Sequence, residues 1–553
     1  MNYEQKKQYE TAKKYIISGR WDFAQNIINE LILSGSDDAE ILMRVGELYI
    51  ALGKDTLASV YIRQSFDLEK SVEKLKLLAD VNFLAKKYDQ SAIQYEELIK
   101  HIPSTEIYQK CIRSYEKLDL YEEAIRIGKM FNDATGVISS YSDLIYMYIV
   151  AGMEKEAIEM CDKMEEKFPN QALTNNIFGF LYECIYNDYD KAKEYFRKSA
   201  NQGFIEGYYN LGICCRESED LENAEKYLKR LISLQENPHN DCYYALGTVY
   251  LSERKLRMGY QYYQKRKAIK NLNKRLANNL WDGKDYPDET LYISIEGGYG
   301  DNIAYLRYLP FVLSKFKKVI YGTRADLVEL VKASYPQKKY ANLEIVSVDD
   351  IVKFNKFVYI MDLPYLLHMN FHNIPSEKSY IVTDKTKVDN FKTKFFDNNN
   401  FKLGLCWRAK GMGLRDAVYR TIDAPYYFKP IMDLENTSYY SFQFGDIFDM
   451  CKKYPQITDL TPEFKDFTQT AAALKNLDVL ITVDTALAHL AGALGVKTYL
   501  LLCHAPDWRW FDNDKKTEWY PSVTIIKQQD RKTWEDVSEK LTELIKAEHK
   551  KHS

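Results

Sequence analysis

A small residue returns about every 34 positions through the first half of the chain. Ala24, Ala58, Ala92, Ala124, Ala157, Ala192, Ala224 and Gly259 follow one another at spacings of 34, 34, 32, 33, 35, 32 and 35. Twelve residues upstream, four of these units again carry a small residue: Ala12, Gly46, Gly212 and Gly247. Three residues further on stand Tyr15, Tyr49, Phe83, Tyr115, Tyr148 and Tyr250. Small residues let two helices approach closely, and an aromatic beside them fills the remaining space. The period therefore predicts eight stacked helical pairs, none able to bury its apolar face alone. Proline usage agrees. Residues 1–280 hold only Pro103, Pro169 and Pro238 of the fourteen prolines. These three fall at ends of units, as expected when proline costs a helix interior about 3 kcal/mol.

The pattern resembles the tetratricopeptide repeat, which implies an all-α solenoid over 1–275 with a concave face suited to an extended peptide or protein. Such an array can also serve only to join copies of the chain, and a homo-oligomer formed through the repeats stays open here. Tyrosine-rich helices such as YYALGTVY at 243–250 read as core and groove lining.

Residues 270–290 form a polar, asparagine-rich join, after which the pattern changes. Short apolar runs at 291–296, 318–322, 343–348, 357–361, 402–407, 439–444, 478–483 and 497–502 predict strands. Between or after them, 302–316, 324–334, 468–476, 484–494 and 533–548 predict helices. Strands alternating with helices indicate parallel sheets, and two sheets are expected, over about 290–395 and about 398–530. The domain boundaries that follow are 276–396 and 397–553. Open parallel sheets bind ligands beyond the carboxyl ends of their strands, so two facing sheets imply a cleft.

Three segments carry candidate chemistry. In EGGYGD at 296–301, glycines allow close backbone approach, and Asp301 opens a helix. Asp301 can act as a general base on a hydroxyl, or only cap the helix by accepting a backbone N–H. In VDTALAHLAGALG at 483–495, a helix starting near Asp484 and Thr485 offers free N–H groups to a phosphate, with His489 one turn inside. There too the residues can be a cap and a satisfied buried histidine. In the loop at 407–422, Arg408, Lys410, Arg415 and Arg420 can neutralise a diphosphate, or be ordinary surface charge. Aromatics with Asp507 and Arg509 at 504–510, and EWYPS at 518–522, can line a base or sugar pocket or simply pack.

Composition narrows the classes. A formal charge of −3, from 76 basic and 79 acidic residues, argues against a nucleic-acid binder. Nine cysteines without a CxxC pair read as reduced thiols, with no zinc site. The polar start MNYEQKKQYE and the lack of any run of about 18 apolar residues predict a cytoplasmic chain with no membrane span.

In order and spacing, residues 281–535 resemble lipopolysaccharide heptosyltransferases, through WDGKDYPDETLYISIEGGYGDNIAYLRYLP, GLCWRAKG, YRTID, SFQFGD, VDTALAHLAGALG, APDWRW and WYPS. Joined to the repeats, the architecture is similar to protein O-GlcNAc transferases and flagellin glycosyltransferases. The resemblance implies a GT-B pair of Rossmann-like domains, with a C-terminal helix packing back on the first. It implies an inverting, metal-independent glycosyltransferase of bacterial type that needs no cofactor beyond a nucleotide-sugar co-substrate. The acceptor would be Ser/Thr hydroxyls of a flagellin-like surface protein held on the concave repeat face. Asp301 would be the base, with Arg408 and Lys410 assisting the diphosphate. Gly298, Gly300, Arg420, Gln443, Asp484, Thr485, His489 and Asp507 would surround the donor. Two departures stand out. The family's Q-G-x-G-D loop reads Gly297-Gly298-Tyr299-Gly300-Asp301 here. The asparagine ladder of the O-GlcNAc transferase solenoid is also largely missing, since Asn210 fits but Arg44 takes an equivalent place. A lipid or polysaccharide glycosyltransferase and a non-catalytic scaffold or chaperone are the competing readings.

Overall fold

The computed structural model describes the chain apart from residues 267, 268, 270, 271, 273, 410–419, 423, 446, 447, 512–514 and 553, and apart from the side chains at 22, 274, 275, 448 and 449. It divides into two units, Met1–Gly207 and Tyr208–Ser553.

The first unit is a helical repeat of six pairs: Tyr3–Ile17, Trp21–Ser34, Ala39–Ala51, Asp55–Leu68, Val72–Leu84, Tyr88–His101, Thr105–Glu116, Tyr121–Thr135, Ile138–Val150, Glu154–Lys167, Ala172–Cys184 and Tyr189–Asn201, α1–α12 in order. The repeating alanines are the contact points. Ala24, Ala58, Ala124, Ala157 and Ala192 are fully buried, and a Cβ on Gly46 would overlap the Ile62 side chain. Four of the six first helices are capped by short polar side chains, Asn2, Asp38, Ser71 and Ser104; Asp38 accepts from the Ile41 amide at 3.0 Å, and Ser71 from Lys74 at 3.1 Å. The turn inside each pair holds one left-handed residue: Gly19, Gly53, Lys86, Asp119, Gly152 and Asn187.

In the second unit, two more pairs come first: α13 (Glu206–Glu217), α14 (Leu221–Ser233), α15 (Asn240–Ser252) and α16 (Leu256–Tyr263). They repeat the same turn, with Glu219 and Arg254 left-handed. The first sheet follows, with β1 (Tyr286–Ser294), β2 (Phe316–Thr323), β3 (Leu343–Ser347) and β4 (Lys356–Tyr359) all parallel in the order β3-β2-β1-β4. The second sheet has β5 (Phe401–Cys406), β6 (Thr437–Ser441), β7 (Ile457–Asp459), β8 (Val479–Val483), β9 (Thr498–Leu502) and β10 (Val523–Lys527). All six are parallel, in the order β10-β9-β8-β5-β6-β7. Strand order therefore reverses between β5 and β8, and likewise between β1 and β4.

The last repeat pair shares its core with the sheets. Leu251, Leu256, Tyr260 and Tyr263 pack in one apolar cluster with Leu291 and Ile293 of β1, Tyr305, and Trp508. The hydroxyls of Tyr260 and Tyr305 meet at 2.8 Å inside it.

Three sequence expectations are corrected. The helix expected over 302–316 is broken into Tyr299–Tyr305, a 3₁₀ turn Leu306–Tyr308 and Pro310–Leu313, because Pro310 has no N–H to continue the first segment. Strands β7 and β10 were not expected; they are the edges of their sheet, paired on one side, where short and partly polar segments suffice. The C-terminal helix, Glu535–His552, does not pack back on the first sheet. Its Val537, Leu541 and Ile545 are buried with Phe401, Leu403, Leu405 and Tyr499 of the second sheet. Ser538 Oγ donates to the Tyr427 carbonyl at 2.5 Å.

Two glycines of α3 and its turn test the repeat packing. Gly53 has φ +66 and open space around its Cβ position, so Gly53→Ala should cost only the strain of the left-handed backbone, about 1 kcal/mol. Gly46→Ala should cost more, about 1–3 kcal/mol, because Ile62 must move. Urea unfolding followed by circular dichroism checks the order.

Candidate functional site

The carboxyl ends of β5 and β8, where strand order reverses, form the natural crevice of the second sheet. Gln443, beyond β6, shapes one wall. Its buried side-chain oxygen accepts from the amides of Trp407 at 3.0 Å and Arg408 at 2.8 Å, fixing the loop after β5. Gln443 thus points at the chain's own backbone. Arg408 stands at the start of that loop; Lys410 and Arg415 lie outside the described residues. Across the crevice, Arg420 Nη1 donates to the Asp484 carbonyl at 3.1 Å and to its carboxylate at 3.3 Å. Asp484 is buried, which raises its carboxyl above the ordinary range, while Arg420 pulls it down.

Thr485, not Asp484, is the N-cap residue of the helix Ala486–Leu494. The Thr485 hydroxyl lies 3.2 Å from that of Thr482 and 4.0 Å from the Cys406 sulfur. His489 is a packed residue. It stacks on Trp510 with centroids 4.8 Å apart, and its Nδ1 meets the Tyr520 hydroxyl at 2.9 Å. Burial, then Arg509 and Arg307 nearby, depress its pKa to about 3, so the ring is neutral. Gly300 explains the fit: a Cβ there would stand 2.6 Å from His489 Cδ2 and 3.4 Å from Ala486 Cα. The helix carrying Asp301 therefore packs directly on the helix carrying His489.

Asp301 occupies the third position of the helix Tyr299–Tyr305. Its Oδ2 accepts the Gly298 amide at 3.0 Å, so the capping alternative is realised. Its other oxygen forms an ion pair with Arg509 Nε at 2.7 Å. Arg509 Nη1 in turn donates to Asp507 Oδ1 at 2.7 Å, and the Arg509 amide to the same oxygen at 3.0 Å. Burial opposes the Arg509 charge, but Asp301 and Asp507 outweigh it and hold the guanidinium firmly protonated. Burial also raises Asp507, yet Arg509 prevails and keeps that carboxylate below its usual range. One buried arginine thus links Asp301 from the first sheet's side to Asp507 from the second's.

Beside Asp507 opens a cavity of about 380 Å³. Arg420, Asp507 and Trp508 line it from the second sheet's loops, and Arg216, Tyr244 and Thr248 line it from α13 and α15. Among the sequence-expected residues, Arg420, Asp484, Thr485 and the Gln443-held loop converge at the crevice, and Asp301 reaches it through Arg509. Arg509 was visible only as part of an aromatic segment, since no spacing links it to Asp301 more than 200 residues away. Arg216 and Tyr244 carried no signal beyond the repeat. Among the described residues, no group of three or more His, Cys, Asp or Glu side chains could hold a metal ion, and all nine cysteines are free. No described helix is long and apolar enough to cross a membrane.

A tetratricopeptide-repeat model matches residues 205–238, which include α13 and α14. The chain carries a tetratricopeptide repeat. Protein FlbA of Caulobacter vibrioides is 20% identical over 414 residues, covering 69% of this chain and 68% of that protein. A tetratricopeptide repeat protein from Parabacteroides merdae is similar at 13% identity and a TM-score of 0.34, covering 44% of this chain and 98% of its own. YrrB, described as a tetratricopeptide-repeat protein with an unusual peptide-binding site, is 14% identical with a TM-score of 0.25, covering 32% of this chain and 92% of its own.

The neutral His489 has a measurable consequence. The unfolded chain protonates this residue near pH 6.5, and the folded chain only near pH 3. The unfolded state thus binds more protons between these values, so His489's contribution to stability is full above about pH 6.5 and is lost as pH falls toward 3. Heteronuclear NMR should show His489 neutral at pH 5, and His489→Gln should flatten the stability profile across this window.

Proposed function

We propose that the chain is an inverting glycosyltransferase that moves a sugar from a nucleotide-sugar donor to Ser/Thr hydroxyls of a protein held by its repeats, with a flagellin-like surface protein as acceptor. The two sheets are then read as a GT-B pair. The observation that carries this reading is the convergence of Arg420, Asp484 and Thr485 at the β5/β8 reversal, next to a cavity and one arginine away from Asp301. The resemblance of residues 281–535 to heptosyltransferases supports it. The repeat supplies the kind of surface on which a polypeptide can lie.

In this mechanism the amides at the start of Ala486–Leu494, with Arg408 and Arg420, stabilise the departing nucleoside diphosphate. Asp301 takes the proton of the acceptor hydroxyl as its oxygen attacks the anomeric carbon. The bond from that carbon to the diphosphate oxygen breaks with its electron pair, and the single displacement inverts the centre. Arg509 holds the Asp301 carboxylate in place until substrate arrives, and has to yield one of its two carboxylates for the proton transfer to occur.

A second reading has a specific observation behind it. Asp301 is already engaged by Gly298 and Arg509, as in a non-catalytic scaffold whose motif residues hold the fold. Incubation with a panel of nucleotide sugars and candidate acceptors, read by intact mass and by nucleoside diphosphate release, separates the two. Asp301→Asn should lower transfer by about 10²- to 10⁴-fold while donor binding persists. Full transfer by Asp301→Asn would rule out the base, and a folded wild-type protein that binds no donor would leave the scaffold.

A further inference from the structure

The cavity beside Asp507 has two walls of different origin. One is the carboxyl edge of the second sheet, with Arg420 tied to Asp484 and with Asp507 and Trp508. The other is the helical repeat itself. Arg216, near the end of α13, points Nη1 at the Thr248 hydroxyl of α15 at 3.0 Å. Its Nε and Nη2 hold Glu217 at 3.2 and 2.6 Å, and its side chain is 29% exposed. Tyr209 of α13 and Tyr244 of α15 add aromatic surface to the same space. The repeat therefore presents a guanidinium, held in place from two sides, to a cavity that receives a second guanidinium from the loop after β5.

We infer that α13 and α15 form part of the nucleotide-sugar site: Arg216 is a donor-binding residue that pairs with Arg420 across the cavity to hold the diphosphate, and Tyr209 and Tyr244 supply surface for the flat nucleobase. This rests on the donor reading given above and extends it from the sheets to the repeat. Three features fit that ligand class. Guanidinium forks match phosphate oxygens in geometry and charge. The cavity lies at the carboxyl edge of the strands, where open parallel sheets bind ligands. Its volume of about 380 Å³ is within the span of small-ligand pockets. Glu217 competes with the ligand for Arg216, so the two members of this ion pair have opposite effects on binding.

The test uses the full chain, titrated with ADP, GDP, UDP and CDP by isothermal calorimetry. For the nucleotide that binds wild type, Arg216→Gln should weaken binding about tenfold. Glu217→Gln breaks the same ion pair yet should tighten binding severalfold, a result that misfolding does not produce. Arg420→Gln monitors the sheet side of the site. Equal affinity of Arg216→Gln and wild type, with Arg420→Gln weakened, overturns the repeat's role and leaves the donor reading standing. Weaker binding in Glu217→Gln also counts against it, because the carboxylate then assists the ligand. A folded wild-type chain that binds none of the four nucleotides overturns the donor reading and this inference together.

Discussion

A buried arginine at the end of the repeat ties the repeat to the loops after both strands at the first sheet's reversal. Arg266 is 3% exposed, and its Nε donates to Glu296 at 2.6 Å while Nη1 donates to Asp362 at 2.6 Å. Gln264 reaches the same Asp362 oxygen at 2.7 Å. An isolated charge at that depth would be prohibitive, and each carboxylate left without the guanidinium would be equally costly. Burial raises the Glu296 carboxyl, and Arg266 draws it back down. Glu296 follows β1 by two residues and Asp362 follows β4 by three, so Arg266 sits at the strand-order reversal of the first sheet. Glu296 also precedes the glycine loop that delivers Asp301. The repeat's last turn therefore governs where that loop begins.

The two sheets are built alike and used differently. In each, the chain adds two strands on one side of the first and then returns to its other side, which creates a crevice at the carboxyl edge beside that first strand. In the first sheet the chain's own Arg266 lies in that crevice. In the second, Arg420 and Asp484 flank it and the cavity opens beside them. Arg509 then carries electrostatic contact from the second sheet to Asp301, so the glycine loop is held from both ends by a guanidinium.

Much of this was legible in the residues. Periodic alanines and glycines located all eight helical pairs, since close helix contacts leave no alternative to a small side chain. Apolar β-rich runs located eight of the ten described strands and missed only β7 and β10, the two edges of the second sheet. What escaped was non-local. The Asp301–Arg509–Asp507 chain depends on how two distant segments meet, and the same holds for Arg266 with Glu296 and Asp362. His489 shows the opposite difficulty. Its spacing from Asp484 suits a ligand-binding helix face, yet Gly300 lets a neighbouring helix close over it, and only the packing reveals that the ring is spoken for. The destination of the C-terminal helix was missed for a related reason, because an amphipathic stripe states that a face is buried without naming the surface that buries it.

The shared core of the last repeat pair sets a rule for how such a chain can change length. Tyr260 and Tyr263 face Tyr305 and Trp508 rather than a further repeat, so α15 and α16 end the array by serving as part of another fold. Units added after them would have no apolar face to stack on. A repeat can be added or removed without opening this shared core only on the amino-terminal side of α15.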